Sequence, residues 1–431
     1  MEALIRETSA NPVVWNEDVE CSMRLQYATK LFSQRKNQEA IAQMMQAVSA
    51  KPTQAALYTW SSVLRQIGSD LYQLVDNMYN QMYLHMPVED VVAIYTGASG
   101  YFTGSEMGGS GVWGSEMAAV NLAEALVALK IPVVIFCECL QFKPPKPHNG
   151  VTYLPHQFYG TWSANRPPKS VYLIVSRYLS FFIKYDTRAA KRVFFWVHDK
   201  VPHYLTVGGG PPLPEQGRPL FRTLCSHNVI HHVVCVSNWQ AEHVKELMAN
   251  GEDPLVIGNA MSVVSWEPKD KVKGRMIFCS DPTRGLELLL KLFARIKEKA
   301  PYAELHVYWS SFDYPAQDGV VFKGKVSQSD LFSAMQEAQV LLYPNHGHET
   351  YCQVALEASA AGCHVIARDY SGIADVLRSL KCGTLIPGLI DESWQDAAVS
   401  KTLQMFDTES FYPTVVPTWS DRAKEWFKLF Y

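Results

Sequence analysis

Two glutamates, Glu349 and Glu357, lie eight positions apart in the stretch "HGHETYCQVALEASAAG" of this 431-residue chain. Carboxylates serve as general acids, as general bases or as hydrogen-bond acceptors for hydroxyl groups. In a helix, eight residues advance about 12 Å and bring the second side chain back to nearly the same side. The pair could then contact opposite ends of one long ligand, although chance alone often produces this spacing.

Basic residues near predicted strand ends indicate a phosphate ligand. Arg284 precedes the helix-like run "LELLL", and Lys323 and Lys325 lie in the turn "FKGKV". An arginine just before a helix can bind two phosphate oxygens with its forked guanidinium group. For Lys323, a solvated loop charge is the alternative interpretation.

A glycine-rich loop precedes the amphipathic helix "GSEMAAVNLAEALVALK". Its glycines stand at positions 97, 100, 104, 108, 109, 111 and 114. Glycine lets backbone N–H groups approach a ligand closely, and a helix N-terminus favours an anion. The loop lacks the lysine of a P-loop, and similar loops also simply turn corners in sheets, so by itself it is a weak phosphate signal.

His198 and Asp199 directly follow the apolar run "VFFWV". A histidine at a strand end is more often structural than catalytic. In a parallel sheet, however, ligands bind at the carboxyl ends of the strands, and this position favours a functional role for His198.

The elements that position these residues form two series of strands and helices, typical of two parallel sheets. The predicted strands of the first series are "VVAIYTG", "VVIFCECL", "VYLIVS", "VFFWVH" and "VVCVS". Those of the second are "RMIFCS", "AELHVYW", "VVFKG", "QVLLYP", "HVIARD" and "GTLIP". We therefore predict an α/β protein with two Rossmann-like domains facing a central cleft.

A helical segment precedes the first sheet. Apolar spacing within residues 25–52 fits two amphipathic helices that resemble one tetratricopeptide-type unit, with Asn37 to Glu39 as the turn and Pro52 closing it. One unit cannot bury itself, so it would dock on the next domain or bind a protein partner. We predict a helical segment at 1–88, an N-terminal domain at 89–250, a C-terminal domain at 251–410 and a final helix at 411–431.

The composition argues against several classes of protein. With 48% hydrophobic and 19% charged residues the chain is globular, and a net charge of -3 argues against nucleic acid as a partner. The nine cysteines stand mostly in apolar runs and are interpreted as reduced core thiols; "CEC" lacks the second close pair of a metal site. Without a visible signal peptide or an apolar run of membrane-spanning length, we expect a cytoplasmic location and no transmembrane segment.

Several motifs together resemble the retaining glycosyltransferases of family 4, which have the GT-B fold. The motifs are "VWGSEMAAVNLAEAL", "WVHD", "VSNWQ", "DPTRGLELLL", "VVFKGKVSQSDL" and "YPNHGHETYCQVALEASAAG". The last is similar to the E-x7-E motif of that family. The branch with "RGLE..LL" and "ETYC" also contains tetratricopeptide-like units.

The resemblance implies a nucleotide-diphosphate sugar as donor substrate and assigns a role to each matching residue. Glu349 would contact the sugar, Glu357 the ribose, Arg284 the departing diphosphate, and His198 the sugar near the reacting carbon. The other implied substrate-binding residues are Gly114 and the backbone amides of Tyr351, Cys352 and Gln353 at the diphosphate, and the turn from Phe322 that includes Lys325 at the nucleobase.

The implied chemistry is sugar transfer with retention, in which the acceptor attacks on the face that the diphosphate leaves. Fixed positive charge and helix-end amides stabilise the anionic leaving group. No metal and no further cofactor is expected, and the chain contains no Asp-any-Asp motif. Partners would be the nucleotide sugar, UDP- or GDP-linked, and a glycan, lipid or protein acceptor.

Two departures from the family pattern affect the site. Trp113 replaces a glycine of the branch, and in the segment where the family commonly has a second arginine only Ser280 is available as a substrate-binding residue. The sequence leaves the donor base and sugar, the acceptor and the oligomeric state open. A non-catalytic GT-B scaffold and a GT-B-fold nucleotide-sugar epimerase are the alternatives; a phosphorylase would need a pyridoxal-binding lysine motif, which we do not find.

Overall fold

The computed structural model describes most of the chain. The described residues are 17–50, 56–57, 60–61, 64–65, 90–101, 114–139, 147–200, 214–248, 251–262, 269–309, 314–408 and 411–431. Two compact units divide the chain: the first contains residues 1–104, 131–173 and 181–191, and the second contains residues 105–130, 174–180 and 192–431. The domain boundaries predicted from the sequence stay a prediction.

The first sheet has seven strands in the order β3-β2-β1-β4-β5-β6-β7. The strands are β1 (Val91–Tyr101), β2 (Val133–Glu138), β3 (Thr152–Pro155), β4 (Val171–Ser176), β5 (Ala190–Trp196), β6 (His232–Cys235) and β7 (Leu255–Val256). Strand β4 is buried along its whole length, and β2 along all but its last residue. Continuous apolar runs of this kind are typical of parallel strands covered on both faces. The five strands predicted here are confirmed, while β3 and β7 were not predicted.

The helices of this part of the chain follow the strands in sequence. They are α3 (Gly114–Ala128), α4 (Tyr159–Ala164), α5 (Phe181–Lys184), α6 (Pro214–Ser226) and α7 (Asn238–Lys245), with a 3₁₀ turn at His156–Phe158. Helix α7 is capped by Ser237, whose hydroxyl accepts from the backbone N–H of Gln240. Such a cap fixes where the helix starts.

The second sheet has six parallel strands in the order β10-β9-β8-β11-β12-β13. The strands are β8 (Val272–Phe278), β9 (Glu304–Val307), β10 (Val320–Phe322), β11 (Ala338–Tyr343), β12 (His364–Arg368) and β13 (Thr384–Ile386). The helices are α8 (Leu286–Lys299), α9 (Gln328–Glu337), α10 (Gln353–Ala360), α11 (Ser371–Leu380) and α12 (Glu392–Phe406), with a 3₁₀ turn at Pro282–Arg284. All six predicted strands are present. Helices α11 and α12 were not predicted.

Helix α8 shows how the apolar pattern builds the core of this half. Its buried residues Leu286, Leu289, Leu292, Phe293 and Ile296 recur every three or four positions. They pack in one cluster with residues of β8, β9, β11 and β12. The amphipathic spacing therefore places the helix on the sheet and fixes the position of the turn that precedes it.

The described N-terminal helices are α1 (Glu17–Ser33) and α2 (Asn37–Ala50). The prediction that Asn37 to Glu39 form the turn is wrong, because Asn37 already begins α2. The chain reverses one turn earlier: Arg35 adopts a left-handed backbone with φ of 60°, and the N–H of Lys36 bonds to the carbonyl of Leu31 at 3.0 Å. This is the usual hydrogen-bonded end of a helix. Pro52 lies outside the described residues, and the tetratricopeptide likeness stays a prediction.

The last helix, α13 (Trp419–Phe430), buries the four residues predicted to share one side: Trp419, Ala423, Trp426 and Phe430. It packs on α3. The Trp426 ring also lies 5.6 Å from Phe194 and 5.3 Å from Trp196 in an edge-on arrangement. Of the nine free cysteines, eight are buried as predicted and Cys382 is half-buried.

Candidate functional site

Glu349 follows β11 and accepts three hydrogen bonds on one carboxylate oxygen, Oε1. The donors are the Tyr343 hydroxyl at 2.8 Å, Asn345 Nδ2 at 3.0 Å and Arg284 Nη1 at 3.0 Å. Among the described residues, no donor reaches Oε2. The carboxylate is therefore held by one oxygen, and the other remains available to accept a further hydrogen bond.

Ser280 lies beside this hydrogen-bonded group. It is buried two residues after the end of β8, near enough to the Tyr343 hydroxyl to affect its pKa, and that hydroxyl donates to Glu349. Burial raises the pKa of Tyr343 well above its ordinary value, so the hydroxyl keeps the proton that it donates. Ser280 therefore contacts a residue that orients Glu349.

Two glycines allow the loops around Glu349 to approach each other. A Cβ on Gly285, which has φ of 103°, would lie 2.5 Å from the carbonyl oxygen of Pro344. A Cβ on Gly372 would lie 2.2 Å from the carbonyl oxygen of Thr350, and the N–H of Gly372 bonds to the carbonyl of Glu349 at 2.7 Å. Only glycine permits these contacts, which fix the turns that carry Arg284 and Glu349.

The backbone N–H groups of Tyr351, Cys352 and Gln353 come together at the start of α10. Cys352 has a left-handed backbone with φ of 76°, which is uncommon for a residue with a side chain. None of the three N–H groups makes a hydrogen bond to a described residue. Unpaired N–H groups at a helix start attract anions, so this turn fits the predicted diphosphate contact.

Side chains from the same turn attach it to the segment after β7. The Tyr351 hydroxyl donates to the carbonyl of Asn259 at 2.7 Å, and Gln353 Nε2 donates to the carbonyl of Ala260 at 3.1 Å. Neither bond involves the backbone N–H groups of the turn. The side chains anchor the turn while its amides stay available for a ligand.

Glu357 lies on α10 and is buried. Gln353 Nε2 donates to Oε1 at 3.2 Å, and Gln328 Nε2 donates to Oε2 at 3.0 Å. Burial raises the pKa of Glu357 to about 7, although the two amide hydrogen bonds act in the opposite direction. In this structure both oxygens have protein donors, so a ribose would have to share them with the two glutamines or displace them.

His198 follows β5 and lies against Trp196, with 4.5 Å between the ring centroids. Its Nε2 is buried and has no hydrogen-bond partner in the part of the chain that the structure describes. Burial, together with the positive charge of Arg177, lowers the pKa of His198 to about 3, so the ring is neutral at physiological pH. Thr350 Oγ1 donates to the backbone carbonyl of His198 at 2.8 Å, which connects this strand end to the Glu349 turn.

Arg177, which follows β4, was not predicted as a site residue. Its guanidinium group binds the Asp199 carboxylate with Nε at 2.9 Å and Nη2 at 3.1 Å, and Nη1 donates to Ser115 Oγ at 3.1 Å. The carboxylate of Glu116 lies 3.8 Å from Nη1. A charged residue directly after the apolar run "VYLIVS" was the signal available in the sequence.

The remaining predicted residues lie elsewhere on these elements. Gly114 is exposed at the first position of α3, and no other described residue comes within 4 Å of the position of a Cβ there. Phe322 ends β10 and stacks on Tyr314, with centroids 6.3 Å apart and planes 11° apart. Lys325 is exposed in the following turn. Because β10 is separated from β11 by β9 and β8, these residues lie toward the edge of the sheet, away from the centre where β11 ends.

Within the described residues, no cluster of three or more His, Cys, Asp or Glu side chains is placed to hold a metal ion. None of the described helices combines the length and the apolar character needed to cross a membrane.

The two parallel-sheet α/β domains define the GT-B fold. In this fold the chain is similar to sucrose-phosphate synthase from Thermosynechococcus elongatus, with a TM-score of 0.52, 15% sequence identity, and coverage of 79% of this chain and 98% of that chain. Residues 273–402, which include Arg284, Glu349 and Glu357, match the family model of glycosyl transferases group 1.

Two curated proteins, both named as mannosyltransferases, are similar to part of this chain. The chain is 28% identical over 165 residues to the phosphatidyl-myo-inositol mannosyltransferase of Mycobacterium tuberculosis, covering 35% of this chain and 42% of the relative. It is 28% identical over 178 residues to the enzyme of the same name from Mycobacterium leprae, covering 38% of this chain and 46% of the relative. The matched region thus spans less than half the length of these relatives.

Proposed function

We propose that this protein is a retaining glycosyltransferase that moves a sugar from a nucleotide-diphosphate sugar to an acceptor. The observation that carries the proposal is the Glu349 carboxylate, fixed through Oε1, with a turn two residues later in which the N–H groups of Tyr351, Cys352 and Gln353 have no hydrogen-bond partner among the described residues. An acceptor oxygen beside an anion-binding turn suits a ligand that has hydroxyl groups next to phosphate. The match to glycosyl transferases group 1 over the same residues supports it.

Bond cleavage between sugar and diphosphate leaves an electron-poor sugar carbon and an anionic leaving group. The amides of the α10 turn and the guanidinium group of Arg284 would stabilise that developing negative charge, which is the most effective contribution a protein can make here. The acceptor hydroxyl would attack on the same face, and a phosphate oxygen would take its proton. This chain's residues would supply binding and charge without forming a covalent intermediate.

Glu349 and His198 would act on the sugar. Glu349 Oε2 would accept from a sugar hydroxyl, since Oε1 already accepts three hydrogen bonds. The neutral ring of His198 would bond to the sugar through Nε2, the buried nitrogen without a partner among the described residues. An imidazolium at the same place would add positive charge beside an electron-poor carbon, so the low pKa of His198 is favourable for the reaction.

The nucleotide would occupy the rest of the second sheet's carboxyl edge. Glu357 would accept from the ribose hydroxyls, and the turn of Phe322 and Lys325 would hold the base. We propose that diphosphate binding needs no metal and that the protein acts in the cytoplasm. A glycan, lipid or protein would be the acceptor, and the N-terminal helices would dock on the protein or bind a partner.

A donor screen tests the proposal. The melting temperature would be measured with UDP, with GDP, and with the glucose, N-acetylglucosamine and mannose derivatives of each nucleotide. Each measurement would be repeated on EDTA-treated protein. Mannosyl donors are included because the curated relatives are named as mannosyltransferases. We expect one nucleotide family to raise the melting temperature, and the matching sugar nucleotide to be hydrolysed slowly without an acceptor.

The same screen separates the alternatives. If no nucleotide binds in calorimetry, the glycosyltransferase proposal fails and a non-catalytic scaffold is favoured. Conversion of the donor to its epimer, with no acceptor present, would instead identify an epimerase. Activity that is lost after EDTA treatment and restored by Mg²⁺ would contradict metal independence alone.

A further inference from the structure

Arg177 connects two parts of the candidate site that are distant in sequence. Its guanidinium group binds Asp199, the residue after His198, and Ser115, the residue after Gly114. Asp199 is 22 positions away and Ser115 is 62 positions away. One side chain thus joins the end of β5 to the first turn of α3.

The backbone of Arg177 is held in an uncommon conformation. Its φ is 65°, in the left-handed region that a residue with a Cβ seldom adopts. Its N–H bonds to the carbonyl of Trp196 at 3.1 Å, so β5 fixes it in place. Strained residues of this kind persist where the surroundings impose them, and they cluster at functional sites.

Asp199 is held on a second side by Gln240. Gln240 Nε2 donates to the backbone carbonyl of Asp199 at 2.6 Å, while its Oε1 accepts from the N–H of Val236 at 2.7 Å. Gln240 is completely buried. With the carboxylate bound to Arg177 and the carbonyl bound to Gln240, the backbone beside His198 cannot rotate freely.

The α3 end of the connection contains a buried carboxylate. Ser115 accepts from Arg177 and donates to Glu116 Oε2 at 2.9 Å, and only 2% of Glu116 is exposed. A buried carboxylate next to a guanidinium group is compensated in charge, whereas either group alone would be costly to bury. The first turn of α3 therefore depends on Arg177 for its position.

We propose that Arg177 is a positioning residue for sugar transfer, holding His198 and the Gly114 turn in the one relative placement that lets both contact the donor. The inference rests on the proposed glycosyltransferase function. Arg177 touches neither donor nor acceptor in this role; it acts through Asp199 and Ser115. Its charge additionally favours the neutral form of the His198 ring.

The test compares Arg177→Met, Asp199→Asn and the double variant in the full-length protein. We expect each single change to lower kcat by about 100-fold with a smaller change in the KM for the donor, because misplacement by about 1 Å costs that much in rate. The kcat of the double variant should be no more than about 3-fold below that of the less active single variant, since the two residues act as a unit. The matched control is Arg295→Met, which removes an arginine of α8 that pairs with Asp396 of α12; it should keep wild-type kcat.

Arg177→Lys keeps the charge but loses the forked contact, and Ser115→Ala removes only the connection to α3. Both are conservative, and they keep the inference testable if Arg177→Met does not fold. We expect kcat to fall about 10-fold in each at an unchanged melting temperature, in line with other residues that orient a functional side chain.

Wild-type kcat in Arg177→Lys and Asp199→Asn would overturn the inference, as would losses that multiply in the double variant. A loss of melting temperature with normal kcat below the transition would show a purely structural role and would also overturn it. Failure of the proposed function is a different result: the wild-type protein itself would then bind no nucleotide and transfer no sugar.

Discussion

Arg284 Nη1 donates to Oε1 of Glu349 across 3.0 Å, joining the turn after β8 to the loop after β11. The two strands are neighbours in the sheet, so their carboxyl ends bring the residues together although 65 positions separate them. The side chain of Arg284 is 42% exposed and that of Glu349 only 13%. The arginine therefore contacts the glutamate and is also open to solvent, which is compatible with the diphosphate contact that we propose for it.

The two glutamates should differ in their kinetic effect. Glu349→Gln keeps an oxygen for Tyr343 and removes the charge, so we expect kcat to fall at least about 100-fold, the typical cost of one lost transition-state contact. Glu357→Gln should mainly raise the donor KM, by about 10-fold, the equivalent of one hydrogen bond. Steady-state kinetics measure both, with Glu392→Gln on the exposed start of α12 as the control. Equal losses of kcat in the two variants would contradict the separate roles.

Glu357 should make stability depend on pH. Its folded pKa of about 7 is above the value of an unfolded glutamate, so its stabilising contribution is complete below about pH 4.5 and is lost as the pH rises through 7. Relative to Glu357→Gln, the wild-type protein should lose roughly 2 to 3 kcal/mol of unfolding free energy between pH 5 and pH 8. Urea unfolding at the two pH values measures this loss of unfolding free energy. A difference between the proteins that does not change with pH would contradict the raised pKa.

His198 should make stability depend on pH in the opposite direction to Glu357. Its folded pKa of about 3 is below the unfolded value, so its contribution is complete above about pH 6.5 and is lost progressively toward pH 3. Going from pH 8 to pH 5, the wild-type protein should lose about 2 kcal/mol relative to His198→Asn, which cannot be protonated there. The ring resonances of His198 in NMR titration provide a direct check. A midpoint near pH 6.5 would show that the ring is not desolvated as the structure indicates.

Gly372→Ala should disturb the Glu349 turn. The new Cβ would lie 2.2 Å from the Thr350 carbonyl oxygen and 2.8 Å from that of Glu349, and backbone atoms cannot move aside as a flexible side chain can. Overpacking of this kind costs about 1 to 3 kcal/mol, so the melting temperature and kcat should both fall. Differential scanning calorimetry and a transfer assay record the two effects. Wild-type values for both would show that the turn tolerates a methyl group.

Gly114→Ala should change ligand binding without changing stability. No atom of the described residues lies within 4 Å of the new Cβ, and alanine is acceptable at the first position of α3. If Gly114 allows close approach to the diphosphate, the added methyl group should weaken nucleotide binding by about 10-fold, equivalent to about 1.4 kcal/mol. Isothermal titration calorimetry at an unchanged melting temperature is the decisive measurement. Unchanged nucleotide affinity would remove Gly114 from the site.

Much of the fold could be predicted from local patterns. Buried parallel strands leave apolar runs such as "VYLIVS", and the spacing of Leu286 to Ile296 predicts α8 with its observed bounds. The helix α11 was missed because its run "SGIADVLRSL" follows the strand-like "HVIARD" without a clear break. The turn before α2 was placed three residues late because Asn37 to Glu39 are polar, although polar residues also begin helices.

The local apolar pattern of the sequence shows where the strands end, and parallel strands place those ends at one edge of the sheet, where Arg284 and Glu349 lie. Which side chains become partners depends on tertiary packing. Asp199 and Ser115 come to Arg177, and Gln328 reaches Glu357 from 29 positions away, because packing of whole elements sets those distances. Burial likewise follows from packing, and it is burial that moves the pKa values of His198 and Glu357.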